Sequence, residues 1–210
     1  MILEQTDIHP EVADEDFKRF LRLPPQRRFE GPVAENAAWA RSWYAANGRP
    51  WWCADFVAAV AEPGVGIVIE GRLFGGARLG DRFAGTLGAA IVAASAGPEA
   101  EAEAAVCWSG DEPEKYYFLE CYAAAVVESL LQAAHRRISG WASARELEAT
   151  RHYCPGFPDW SVGDAPRLLE LLRAGRPLPG ALDTLSSGML RPKKSQLAAI
   201  GFHAAAPTLP

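Results

Sequence analysis

A chain of 210 residues, 49% hydrophobic and 22% charged, is long enough for one domain with a sizeable core and too apolar for intrinsic disorder. Its net charge of −5 excludes a general nucleic-acid surface, which needs a broadly basic face, so any anion site has to be local. No run of about 18 apolar residues is present and the first residues lack a signal-peptide layout, which points to a cytoplasmic protein without membrane attachment.

Pro10 through Arg22 carries Val12, Phe17, Phe20 and Leu21 among acidic and then basic residues, the pattern of a short amphipathic helix that ends before Pro24-Pro25. After a basic connector, residues 34–47 predict a second helix with Trp39, Trp43 and Tyr44 on one side, stopped by Asn47-Gly48. Trp51-Trp52-Cys53 opens a third, closed near Pro63-Gly64, so residues 1–63 read as a helical N-terminal extension, a cap or a dimer arm. Trp39, Trp43, Trp51 and Trp52 could form an aromatic ligand platform, but aromatic stripes on helices are far more often core.

From Val65 the period changes. Val65–Gly71 has a strand signature, Arg78–Thr86 a helical one, and Leu87–Ala96 reads as a second, mostly buried strand. The turn at Gly97-Pro98 leads into an acidic helix from Glu99 to about Val106, whose Glu99, Glu101 and Glu103 complement the helix dipole and are expected to be solvated. Gly75-Gly76 lacks the spacing of a dinucleotide fingerprint, and no phosphate-loop motif occurs. Cys53, Cys107, Cys121 and Cys154 are scattered without metal-ligand spacing, which disfavours zinc and iron–sulfur sites.

Glu114–Arg137 is the longest predicted helix, apolar nearly all round and therefore expected deep against the sheet. Its polar stripe is Glu128, Gln132, His135 and Arg136, which helical geometry gathers on one side. A salt bridge from Glu128 to Arg136 or another base is the plain structural reading of that stripe. A short connector helix, Ala142–Ala149, follows.

Two later stretches combine Pro and Gly with aromatic and basic side chains: Arg151 through Trp160, and Ser186 through Ser195. Pro155, Gly156 and Pro158 make the first irregular but stiff, which suits a binding rim. Arg191, Lys193 and Lys194 put positive charge beside a turn in the second, useful for an anion or a partner. An amphipathic helix, Val162–Ala174, lies between them, strands Asp183–Ser187 and Gln196–Phe202 bracket the second, and residues 204–210 form a flexible tail.

In this order and spacing, Tyr153-Cys154-Pro155-Gly156-Phe157-Pro158-Asp159-Trp160, the amphipathic helix, and Ser187-Gly188-Met189-Leu190-Arg191-Pro192-Lys193-Lys194-Ser195 resemble the activation (reactivation) domain of cobalamin-dependent methionine synthase. The match is nearer still to the small stand-alone proteins similar to that domain, and it covers roughly residues 65–202. The resemblance implies an α+β fold over residues 64–203, a twisted, mainly antiparallel sheet packed with helices. It implies S-adenosylmethionine bound in one groove between Glu128, the 152–157 loop and the 188–195 loop. The implied contacts are Glu128, Arg151, His152, Tyr153, Cys154, Pro155, Gly156, Phe157, Met189, Arg191, Lys193, Lys194 and Ser195. No corrinoid-binding Asp-x-His-x-x-Gly is present, so cobalamin would arrive on a partner, a corrinoid protein or cobalamin-dependent methyltransferase. The chain would then support reductive reactivation or methyl transfer as an accessory protein.

The sequence departs from the family pattern at four places: His152 stands where the family has Arg, Phe157 where it has Tyr, Ser186 where it has Glu, and Cys154 where Ser is common. These departures keep open a repurposed, non-catalytic module of the same fold that binds another small molecule or a protein partner, with a homodimer also possible. His135 and His152 supply no assembled catalytic set, and no catalytic residue is assigned.

Overall fold

The computed structural model describes residues 2–6, 8–175 and 177–205. In chain order its elements are β1 (Ile2–Gln5), α1 (Asp14–Phe20), α2 (Gly31–Asn47), β2 (Trp51–Val57), β3 (Ala59–Glu62), β4 (Gly66–Ile69), β5 (Arg72–Phe74), α3 (Ala77–Arg82) and β6 (Gly88–Ser95). There follow α4 (Glu99–Ser109), α5 (Pro113–Ser143), β7 (Leu147–Ala149), α6 (Ala165–Gly175), β8 (Asp183–Thr184), β9 (Leu190–Arg191) and β10 (Ser195–Ala204). An antiparallel five-stranded sheet runs β1-β2-β6-β10-β7, beside a three-stranded meander β3-β4-β5 and the small hairpin β8-β9.

The central strand, β6, is Gly-Ala-Ala-Ile-Val-Ala-Ala-Ser, and its small residues let layers close on both faces. Ala90, Val92 and Ala94 join a core shared with α1, α2, α4 and α5, whereas Ala89, Ile91 and Ala93 join one shared with α3, α6 and the meander. A strand buried on both faces reads as a continuous apolar run, which is how its sequence appears. β10 lies beside it in antiparallel register, with Ser195 opposite Ser95 and Ala198 opposite Val92.

The expected third helix is β2. Trp51 and Cys53 enter the α6-side core while Trp52 and Ala54 enter the α5-side core, the period-two alternation of a strand paired with β6. Both faces are buried, so no polar alternation marks the run and its apolar pattern is compatible with either element. Helical character across residues 1–63 thus holds for α1 and α2 and gives way to strands at Ile2–Gln5 and Trp51–Glu62. The four tryptophans form no common platform: Trp39, Trp43 and Trp52 pack on the α5 side and Trp51 on the other.

The helix expected to stop at Arg137 continues to Ser143, and no separate helix follows. A Cβ at Gly140 would meet nothing, so that glycine faces open space and its cost to the helix, about 1 kcal/mol, is tolerated. Beyond it Trp141 packs against Phe56 and Phe202, with ring centroids 4.0 and 5.3 Å away, which anchors the last turn to the sheet. The chain then enters β7, Ala149 opposite Phe202. The helix expected over Arg78–Thr86 is the shorter α3 followed by turns, and the expected strand Asp183–Ser187 is β8 with a turn after it. Of the expected tail, Ala204 ends β10, and residues 206–210 lie outside the described residues.

Candidate functional site

The first bend is tied to the sheet by one residue. Tyr153 exchanges two backbone hydrogen bonds with Ala199 of β10, donating at 2.9 Å and accepting at 2.8 Å. Its buried ring stacks with Trp160, and its hydroxyl donates to the Pro158 carbonyl. The Gly156 N–H donates to Trp160 at 2.8 Å, closing the Pro-Gly turn on itself. Extended backbone through Tyr153 sends alternate side chains to opposite faces. Tyr153 accordingly enters the α6-side core, Cys154 enters the α5-side core, and His152 points to the cleft along α5.

That cleft encloses about 640 Å³ and is lined by Glu128, Gln132, His135 and Arg136 of α5, by Arg151, His152 and Phe157 of the bend, and by Arg19 of α1. The stripe read from helical spacing is therefore one wall of a real concavity, and three of the bend residues form the other. Arg19 was not anticipated; only its place among the basic residues closing α1 was visible in sequence. His135 Nε2 lies 2.8 Å from the Thr150 carbonyl, an acceptor only, so Nε2 carries the proton and Nδ1 accepts from Ser139 Oγ at 3.4 Å. This contact ties α5 to the start of the bend. Glu128 makes no ion pair among the described residues; it accepts a hydrogen bond from Gln132 Nε2 at 3.4 Å. The salt bridge to Arg136 is not formed.

Burial lowers the pKa of His152, reinforced by His135 and Arg151 and opposed by the negative charge of Glu128. A depressed imidazole pKa favours the neutral ring. Its contribution to stability is therefore present above the ordinary histidine value of about 6.5 and is lost as pH falls through the lowered one.

Cys154, which sequence placed in the rim, has no exposed surface. Burial first and the charge of Glu128 second push its thiol up to about 12, against the effect of a hydrogen bond from Gln196. Such a thiol is inert at neutral pH. Alkylation of the folded protein with iodoacetamide at pH 8 is expected to spare Cys154 and to reach the half-buried Cys121 before it; peptide mapping that finds Cys154 labelled first contradicts this packing.

The second bend uses its charge internally. Arg191 reaches Glu101 at 2.9 Å, the Lys193 backbone N–H donates to the same carboxylate at 2.9 Å, and Lys193 Nζ and Lys194 Nζ bind Glu120 at 2.7 and 3.1 Å. The positive charge expected to await an anion is thus engaged by two carboxylates of α4 and α5, and Glu101, expected to be solvated, is half of this clasp. Ser195 donates through its hydroxyl to Ser95 at 2.9 Å on the neighbouring strand. Met189 stands exposed at 55%.

The two bends do meet. Pro155 of the first, together with Gly188, Met189, Lys193 and Ser195 of the second, lines a smaller hollow of about 210 Å³. The single groove expected from sequence is divided in two. Arg151, His152 and Phe157 face α5, Pro155 faces the second bend, and Cys154 in contact with Gln196 lies between. Gly156 shapes the turn with a φ of +94° and lines neither hollow. Among the described residues no group of three or more His, Cys, Asp or Glu side chains is placed to hold a metal, and no helix is long and apolar enough to cross a membrane.

No protein-family model matches the chain, and a search of curated proteins finds no relative in sequence. Among solved structures, the crystal structure of the MetH reactivation domain bound to AdoHcy superposes with a TM-score of 0.72 at 12% identity, over 100% of this chain and 80% of that one. The chain has the methionine synthase activation-domain-like α+β fold, an antiparallel sheet packed with helices. At that identity the likeness establishes architecture alone.

Proposed function

We propose that this chain, built on the activation-domain-like fold, binds S-adenosylmethionine or S-adenosylhomocysteine in the cleft along α5 and docks on a corrinoid protein that carries the cobalamin. One observation carries the reading: Glu128, His135, Arg136, Arg151, His152 and Phe157 converge on a cleft of about 640 Å³, in a fold whose solved neighbour was crystallised with AdoHcy. That volume suits a small-molecule site. Glu128, without an ion pair among the described residues, would face the ligand's ammonium or sulfonium group, Arg151 its carboxylate, and the Phe157 ring its purine. The exposed apolar residues Phe157, Val162, Leu185 and Met189 supply a docking surface near both hollows. The chain contributes no catalytic residue of its own and acts in the cytoplasm beside a cobalamin-dependent methyltransferase.

The internal pairing of Arg191, Lys193 and Lys194 favours a second reading, in which the same cleft holds another metabolite or serves a protein partner without methyl transfer.

Calorimetric titration of the full chain separates the two. Micromolar binding of S-adenosylmethionine is expected, weakened about tenfold by Glu128→Gln or His152→Ala, since each removes a half-buried polar contact. Binding of the cationic ligand is also expected to weaken as acid charges His152. A correctly folded protein that gives no heat with either adenosyl compound sinks the first reading.

A further inference from the structure

The guanidinium groups at the α5 cleft, of which the adenosyl reading uses Arg151 alone, differ from the basic triplet of the second bend in one respect. Arg191, Lys193 and Lys194 are each held by an internal carboxylate. Arg136 and Arg151 have no acidic partner among the described residues, although both are exposed and both line the same cleft. Arg19, the third guanidinium there, meets Asp16 through one nitrogen at 3.0 Å, leaving donors unused. These arginines come from three separate elements: α1, α5 and the bend after β7. Chain-local charge patterning does not bring them together; the tertiary fold does. Among the lining residues the only carboxylate is Glu128.

We infer that the mouth of this cleft is an oxyanion receptor for a phosphate monoester, with Arg136 and Arg151 as its paired forks and Arg19 as a third donor. Two guanidiniums without an acidic partner among the described residues, and a third shared with Asp16, facing Glu128 as the one lining carboxylate, match a dianion better than a single carboxylate ligand group. The planar fork of arginine also fits phosphate oxygens two at a time, in short charge-assisted hydrogen bonds. A concave wall on one side raises the local potential above that of isolated surface arginines. Arginines scattered over a convex surface would make no such claim. The inference shares Arg151 with the adenosyl reading but does not rest on it, and that reading enters only through the choice of one probe.

Two titrations of the intact chain test it. In the first, inorganic pyrophosphate is added while the imidazole resonances of His152 and His135 are followed by NMR. A saturable shift is expected, weakened several-fold between low and physiological salt as the charges are screened. It should be lost in the double variant Arg136→Ala/Arg151→Ala and only partly restored by Arg136→Lys/Arg151→Lys, which keeps charge but not the fork. Both positions are exposed, so the variants are expected to keep the parent melting temperature. In the second, adenosine 5′-monophosphate is compared with adenosine by calorimetry; the nucleotide should bind about tenfold more tightly or better, and that advantage should vanish in the alanine double variant. Absence of a pyrophosphate shift, or a shift unchanged in the double variant, overturns the receptor whatever the adenosyl compounds do. A pyrophosphate shift abolished in the double variant, with no heat from adenosine or S-adenosylmethionine, upholds the receptor and removes the adenosyl reading instead.

Discussion

Glu120→Gln is expected to lower the unfolding free energy by about 2 kcal/mol, between the small value of an exposed ion pair and the larger cost of breaking a buried one. The carboxylate is 15% exposed and accepts from two ammonium groups, Lys193 at 31% and Lys194 at 21%. A neutral amide leaves both cations half buried without a counter-charge. They recover hydration only by pulling the second bend away from α5. For a chain of this length the melting temperature should drop by roughly 5 °C. The charge account makes a further demand: in the triple variant Glu120→Gln/Lys193→Met/Lys194→Met, no orphaned charge remains, so most of the loss should be recovered. A single variant that melts with the parent protein, or a triple variant less stable than the single, contradicts the clasp.

Gly188→Ala should cost more, roughly 3 kcal/mol or above, because two independent penalties fall on one residue. Its φ of +84° lies in the left-handed region, where an L side chain is strained. A Cβ there would also stand 2.3 Å from the Val162 carbonyl oxygen and 2.9 Å from its carbon, and both are backbone atoms. They cannot step aside cheaply, since Val162–Asp164 is a 3-10 turn held by Ser161 Oγ, which accepts from the Gly163 N–H at 3.1 Å, and leads directly into α6. The turn around Gly188 is closed from both directions, Gly188 N–H to the Leu185 carbonyl at 2.9 Å and Leu185 N–H to the Met189 carbonyl at 2.8 Å. The expected result is a melting temperature lower by roughly 8 °C, with Leu185→Ala, at an exposed position nearby, close to neutral. Equal melting of Gly188→Ala and the parent would mean that the second bend does not press on the Val162–Asp164 turn at this point.

The position of Gly188 also shows how far a motif carries. Pro155-Gly156 and Gly188 were recognisable as paired bends because proline and glycine act through their own backbone dihedrals, which neighbours along the chain suffice to reveal. That they meet at one small hollow, with the cleft along α5 a separate one, depends on how distant parts of the chain pack around them. Tyr153 and Cys154 were visible as members of the bend but not as core residues. Their burial follows from the backbone bridge to Ala199, and no local pattern announces a bridge between residues so far apart in sequence.

By itself the sequence determined α1, α2, the buried body of α5, α6, and strands β4, β6 and β10, since each has its own apolar period and its own stop signal. It also determined that Glu128, Gln132, His135 and Arg136 share a face, which 3.6 residues per turn enforces in any context. Only the tertiary structure decided that Trp51–Val57 is a strand, because burial on both faces erases the alternation that separates strand from helix. It alone assigned the charges: Lys193 and Lys194 to Glu120, Arg191 to Glu101, and Arg19, Arg136 and Arg151 to an open cleft. The reason is range. Dihedral preference and periodicity act over a few residues, whereas which cation meets which carboxylate is settled by elements that pack together from distant parts of the chain.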